Sequence, residues 1–211
     1  QCEGGDNHFR VEFLQQLRRI CDENDILLIF DEVQVGMGIT GKMFAYQGLG
    51  VVPDILSFGK KSQVCGILAN KNKLDQVEHH VFKESSRLNS TFGGNFVDML
   101  RFKLILEIIE SEHLLNNAGE QGNFLVSSLN ELEKKYSGVI TNTRGRGLLC
   151  AFDLESPETR GRFIQMLREQ EKVIILPCGE KTIRFRPHLT VSRDEISQAI
   201  EAIDRVASTI K

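Results

Sequence analysis

Two short apolar runs in this chain end in residues that could share a chemistry. Ile26-Leu27-Leu28-Ile29-Phe30 runs into Asp31-Glu32-Val33-Gln34. Ile55-Leu56-Ser57-Phe58 runs into Gly59-Lys60-Lys61. An acid thus stands at the end of one expected strand and a lysine just beyond another. Ligands of open α/β sheets sit outside the carboxyl ends of the strands. A lysine amine and an aspartate at such a crevice suggest pyridoxal-phosphate chemistry: Lys60 as the Schiff-base amine, Asp31 as the carboxylate that keeps the pyridine nitrogen protonated. The same residues have a plainer reading. Strand-end acids cap helices and form turns, and a lysine after a glycine is usually solvated. Spacing alone leaves both open.

Composition narrows the field. The 211 residues suffice for a sizeable core and one or two domains. A formal net charge of −3 lacks the basic excess of a nucleic-acid partner. No apolar run is long enough to span a bilayer. Cys2, Cys21, Cys65, Cys150 and Cys178 form no CxxC pair, so they read as core thiols of a reducing compartment, here the cytoplasm. The histidines at 8, 79, 80, 113 and 188 have no metal-ligand spacing, and no metal site is expected. The chain starts with Gln1 rather than Met, so targeting signals are not legible.

Periodicity supplies the elements that position the acid and the lysine. Residues 10–24 repeat apolar positions at helical spacing, and Ile26–Phe30 follows as a fully buried strand of the parallel-sheet kind. Gly36, Gly38 and Gly41 make a loop, with a short helix expected over 43–49 and a second strand over 55–58. Val64–Leu68 is a third apolar segment. Ser86–Asn95 is a polar, glycine-containing loop whose amides and hydroxyls could meet an anion, or simply cap the next helix. Long helices are expected from Phe96 and over 117–135. Short strands are then expected over 139–141, 148–154, 173–176 and 182–186. They are interleaved with a turn at Arg144–Gly147 and helices over 157–170 and 194–208. On the last strand Ile183 and Phe185 share one face, Arg184 and Arg186 the other.

The stretches DEVQVGMGITGKMFAYQ, PDILSFGKK, RLNSTFGGN, RGRGLLCAF and IRFRPHLTV, with CEGGDNHFR at the start, resemble the class III aminotransferases. The resemblance covers nearly the whole chain. LNSTFGGN places it nearest the subgroup that takes L-lysine as amino donor, rather than the 4-aminobutyrate enzymes, which share GGDNH, DEVQ, RGRG and IRFRP. It implies an α/β fold: part of the large domain of the fold type I pyridoxal-phosphate enzymes over residues 1–113, then a small carboxyl-terminal α/β domain over 114–211. It implies pyridoxal 5'-phosphate as cofactor and movement of the ε-amino group of lysine to 2-oxoglutarate, in a homodimer with shared sites. It assigns the Schiff base to Lys60 rather than Lys61, and the pyridine-nitrogen contact to Asp31. Val33 would pack on the ring, and Gln34 would bond near the phenolic oxygen. Thr91 would bind a phosphate held mainly by the neighbouring subunit. Arg184 would bind the α-carboxylate of glutamate or 2-oxoglutarate through a bidentate contact, and Glu3 would pair with Arg184 when a substrate without that carboxylate is present. Arg186 is left as structural. Cys2, where relatives often carry glycine, bears on the loop that presents Glu3. Members of the family extend further on the amino-terminal side, where the phosphate cup and the ring-stacking aromatic lie. The chain is therefore expected to be a carboxyl-terminal half. The alternatives are a donor such as 4-aminobutyrate or another ω-amino acid, and a catalytically incompetent remnant.

Overall fold

The computed structural model describes residues 2–210, which divide into two compact units. One comprises residues 10–37 and 44–112. The other comprises residues up to Phe9, the short segment Gly38–Met43, and everything from His113 onward.

The first unit is built on a three-stranded sheet of order β1-β2-β3, with β1 Ile29–Asp31, β2 Ile55–Phe58 and β3 Gly66–Ala69. β1 and β2 are parallel, in the register Ile29 with Ile55, Phe30 with Leu56 and Asp31 with Ser57. β3 runs antiparallel to β2. Helix α1, Val11–Glu23, turns Leu14 and Cys21 inward against Leu28, Leu49 and Val51, with Leu17 and Phe30 at the margin. Asp54 fixes this arrangement. Its Oδ2 accepts from the Leu28 amide and from Arg18 Nη1 of α1, both at 2.8 Å. Burial raises its pKa, but the Leu28 amide and then Arg18 outweigh that, and the carboxyl lies below its usual range.

The fully buried strand expected over Ile26–Phe30 is corrected by the structure. β1 is three residues long and is an edge of its sheet, and Ile29 is 58% exposed. Alternation explains it: Leu28 and Phe30 reach the α1 cluster, so Ile29 points to the opposite face, which this unit does not cover. After the short helix α2, Lys71–Leu74, comes α3, Phe96–Ser111. The Asn95 side chain caps α3 by accepting from the Asp98 amide at 3.0 Å. Phe102 of α3 stacks on Phe58, with ring centroids 5.3 Å apart. Only Ile109 of α3 is buried, and Phe96 is 93% exposed.

The second unit is an antiparallel sheet of order β4-β5-β7-β6, with β4 Thr141–Arg146, β5 Leu149–Asp153, β6 Leu176–Cys178 and β7 Thr182–Arg184. Its helices are α4, Leu114–Lys135, α5, Pro157–Glu169, and α6, Arg193–Ala207. α4 packs on β4, β5 and α6, and α5 packs on α6 and β6. Every residue of β5 is buried, and Phe152 meets Phe163 edge-on at 6.0 Å. Ser192 and Glu195 close a capping box at the start of α6. The turn expected at Arg144–Gly147 lies later, because Arg144, Gly145 and Arg146 belong to β4. Gly145 serves close approach rather than chain reversal: a Cβ there would press on Cys150 Sγ of the neighbouring strand. The reversal falls on Gly147 (φ 55°), beside Gly122 of α4, where a Cβ would collide with the Gly147 backbone.

Candidate active site

The parallel pairing of β1 and β2 brings their carboxyl ends side by side, as the sequence reading of Asp31 and Lys60 requires. Asp31 is the last residue of β1 and is exposed. Its Oδ1 accepts from the Val33 amide at 3.0 Å and from Ser57 Oγ of β2 at 3.2 Å, which orients the carboxylate. The adjacent Glu32 is used differently. It is buried, and its two oxygens accept from the amides of Ala45 (2.6 Å) and Tyr46 (2.8 Å) at the start of a 3-10 turn. Burial raises its pKa against the pull of those amides. Of the neighbouring acids, Glu32 holds the loop and Asp31 stays accessible.

Lys60 follows β2 by two residues, in a 3-10 turn over Lys60–Ser62. Its backbone is in the left-handed region (φ 51°), a strained conformation for a non-glycine residue, held by the Gln63 amide donating to its carbonyl at 2.9 Å. Lys60 is exposed, and its amine has no hydrogen bond or ion pair among the described residues. Lys61 Nζ, by contrast, has a partner and reaches the Gln34 carbonyl at 3.5 Å. Val33 lies against Gly59, its Cγ1 3.5 Å from where a Cβ would sit, and Gln34 is half-buried beside it. Thr91 is not brought to this group. It lies in an exposed turn in which Gly93 N donates to Ser90 O, and among the described residues no hydrogen bond ties it to Asp31 or Lys60.

In the carboxyl-terminal unit, Arg184 Nη1 donates to Glu3 Oε1 at 2.9 Å; the arginine side chain is 13% exposed, the glutamate 70%. Glu3 is anchored through its backbone, its carbonyl accepting from Gly179 N at 2.8 Å. Arg184 also borders a cleft of about 330 Å³ walled by Leu176, Phe185 and Ile196, and its Nε is buried without an acceptor.

Sequence reasoning missed what holds this pair. Arg186 clamps Asp6 with both terminal nitrogens, Nη1 to Oδ2 at 2.7 Å and Nη2 to Oδ1. Asp6 is fully buried at φ 53°. Arg144 donates to the carbonyls of Gly5 and Asp6 and to Asp153 Oδ1 at 2.9 Å, while Arg146 donates to Phe9 O at 2.9 Å. The first residues are thus pinned to the sheet by strand arginines. Cys2 does not disturb this turn: its carbonyl accepts from the amides of Gly5 (3.3 Å) and Asp6 (3.2 Å). His8 is driven down to about 4 by burial and by Arg146, and is neutral. The available signal was the pairing of an acid after two glycines with an alternating arginine far along the chain.

A family model described as aminotransferase class-III matches residues 1–207. The chain belongs to the class-III aminotransferases. It is 52% identical over 203 residues to the L-lysine-epsilon aminotransferase of Mycobacterium tuberculosis, covering 96% of this chain and 45% of that protein. It is 46% identical over 203 residues to that of Streptomyces clavuligerus, covering 96% and 44%. Among solved structures it is similar to the lysine aminotransferase from M. tuberculosis in the internal aldimine form, with a TM-score of 0.96 and 50% identity over 100% of this chain and 48% of that one. The chain spans about half the length of these relatives. Its mixed α/β architecture is that of the fold type I aminotransferases, as the resemblance implied. No described helix is long and apolar enough to cross a membrane.

Proposed function

We propose that this chain carries part of the active site of a pyridoxal-phosphate-dependent aminotransferase, one that moves the ε-amino group of L-lysine to 2-oxoglutarate. The observation that carries the reading is the parallel β1–β2 pair, which sets an oriented carboxylate at the end of β1 and, two residues beyond the end of β2, an amine with no hydrogen bond or ion pair among the described residues. The donor set fits the cofactor. Asp31 offers an exposed oxygen to a pyridinium N–H, and Lys60 offers a primary amine to an aldehyde. Val33 and Gln34 flank them and would meet the ring face and its phenolic oxygen. Thr91, exposed and with no hydrogen bond to these residues among the described residues, would serve the phosphate in a neighbouring subunit, which makes a homodimer the expected assembly. The cofactor, when bound, supplies an electron sink for the carbon that loses its proton. Asp31 would keep the ring nitrogen protonated, and Lys60 Nζ would hold the cofactor and carry the proton at the substrate carbon.

Arg184 would take the α-carboxylate of 2-oxoglutarate or glutamate, with Glu3 swinging aside, and Glu3 would close on Arg184 when lysine, which has no carboxylate beside its ε-carbon, is the substrate. We take residues 1–113 as large-domain and 114–211 as small-domain sequence. The unpaired thiols favour the cytoplasm. Lysine as donor is supported by similarity to the mycobacterial and streptomycete lysine enzymes. The test is a single-turnover absorbance measurement on the full-length protein. Lysine should bleach the cofactor band at least tenfold more efficiently than 4-aminobutyrate, and the reverse order would make the donor a shorter ω-amino acid.

A further inference from the structure

Around Glu3 the charges pair off one by one. Arg144 is matched by Asp153, Arg186 by Asp6 and Arg184 by Glu3. The first two pairs have both partners largely buried, whereas the Glu3 side chain is mostly in solvent. Arg184 and Arg186 lie on the same side of one extended segment and border the same cleft, and the Nε of each is buried without an acceptor. The neighbourhood could therefore hold two anions if Asp6 did not occupy Arg186 from within the fold.

We propose that Asp6 is a positioning and specificity-determining residue: by clamping Arg186 it leaves Arg184 as the single available cation of the cleft among the described residues, so that Glu3 and a substrate carboxylate exclude one another. The inference rests on the reading of Arg184 as the carboxylate site and adds what makes its gate exclusive. With one cation, a dicarboxylate must displace Glu3 in order to bind. With Arg186 released, Glu3 can move to Arg186 while the dicarboxylate takes Arg184, and the competition is lost. Asp6 holds this state without touching substrate, since its carboxylate is sealed under the turn of residues 2–6.

The test is calorimetric titration of the full-length holoenzyme with glutarate, which has both carboxylates and no reactive oxo group. In the wild type, Glu3→Gln removes the competitor and should tighten glutarate about fivefold, a change typical of losing one partly exposed ion pair. Asp6→Asn should itself tighten glutarate by a similar factor, and in that background Glu3→Gln should change the affinity by less than about twofold. Asp6→Asn combined with Arg186→Met removes both members of the clamp and should restore the full Glu3→Gln effect. A purely structural Asp6 gives a different pattern: Asp6→Asn weakens glutarate, or the Glu3→Gln effect persists unchanged, and either result overturns the proposal. If Asp6→Asn does not fold, the double variant decides alone, and loss of the Glu3→Gln effect there overturns it. A wild type that binds no glutarate would overturn the reading of Arg184 as well.

Discussion

The two units hold their candidate site residues by opposite means. In the unit of residues 10–37 and 44–112, Asp31 and Lys60 are placed by backbone: a parallel register, a Val33 amide, a Ser57 hydroxyl and a left-handed turn. Few side chains seal them, and Ile29 and Phe96 stand in the open. In the carboxyl-terminal unit, Arg184 and Glu3 are placed by side-chain charge, on a sheet whose central strand is wholly buried. On the proposed reading, the groups that would exchange partners with a cofactor are held by geometry and left accessible. The cation that would choose between anions on that reading sits in a frame where the neighbouring charges are already matched.

The largest effect that separates the two arrangements is on catalysis. Lys60→Ala should lower the rate of the lysine half-reaction roughly a thousandfold, the scale of losing a positioned proton-transfer group, whereas Lys61→Ala should stay within about threefold. Pre-steady-state absorbance of the full-length enzyme reads both, and comparable losses would mean the turn does not discriminate between the lysines.

Stability gives the next contrast. Phe163, fully buried against Phe152, should cost about 3–5 kcal/mol on replacement by Ala. Phe96→Ala in this chain should stay within about 0.5 kcal/mol, because the ring is 93% exposed. Urea denaturation measures both, and a Phe96 cost above about 1 kcal/mol would show that its face is covered in solution.

Legibility in the sequence followed the same division. Asp31 and Lys60 were readable because strand-end position is a local property: an apolar run, then an acid, and a second run, then a lysine. Arg186 reads only as structural in the sequence and nothing there marks Asp6, since an ion pair spanning 180 positions leaves no local pattern. Glycine misled at Arg144–Gly147. Gly145 is there to clear Cys150 within a strand, and only Gly147 turns the chain. The apolar run Ile26–Phe30 was read as buried on both faces, but hydrophobicity records only that a face is to be covered somewhere, and within this unit only the Leu28 and Phe30 side is.

A smaller effect tests the charge frame through pH. His8 binds its proton only near pH 4 in the fold but near 6.5 when unfolded. Between those values the unfolded chain holds more protons, so stability rises with pH across that window and falls as the pH drops toward 4. The contribution is at most a few kcal/mol. His8→Gln should flatten the urea midpoint between pH 4 and 6.5, and an unchanged slope would place the titration elsewhere.

The central claim, that Lys60 is the amine that holds the cofactor, is met most directly by borohydride reduction of the full-length protein with pyridoxal phosphate, followed by peptide mass mapping. The account predicts a reduced pyridoxyl adduct on Lys60 that is lost in Lys60→Ala. An adduct on Lys61, or one that survives the substitution, would contradict it.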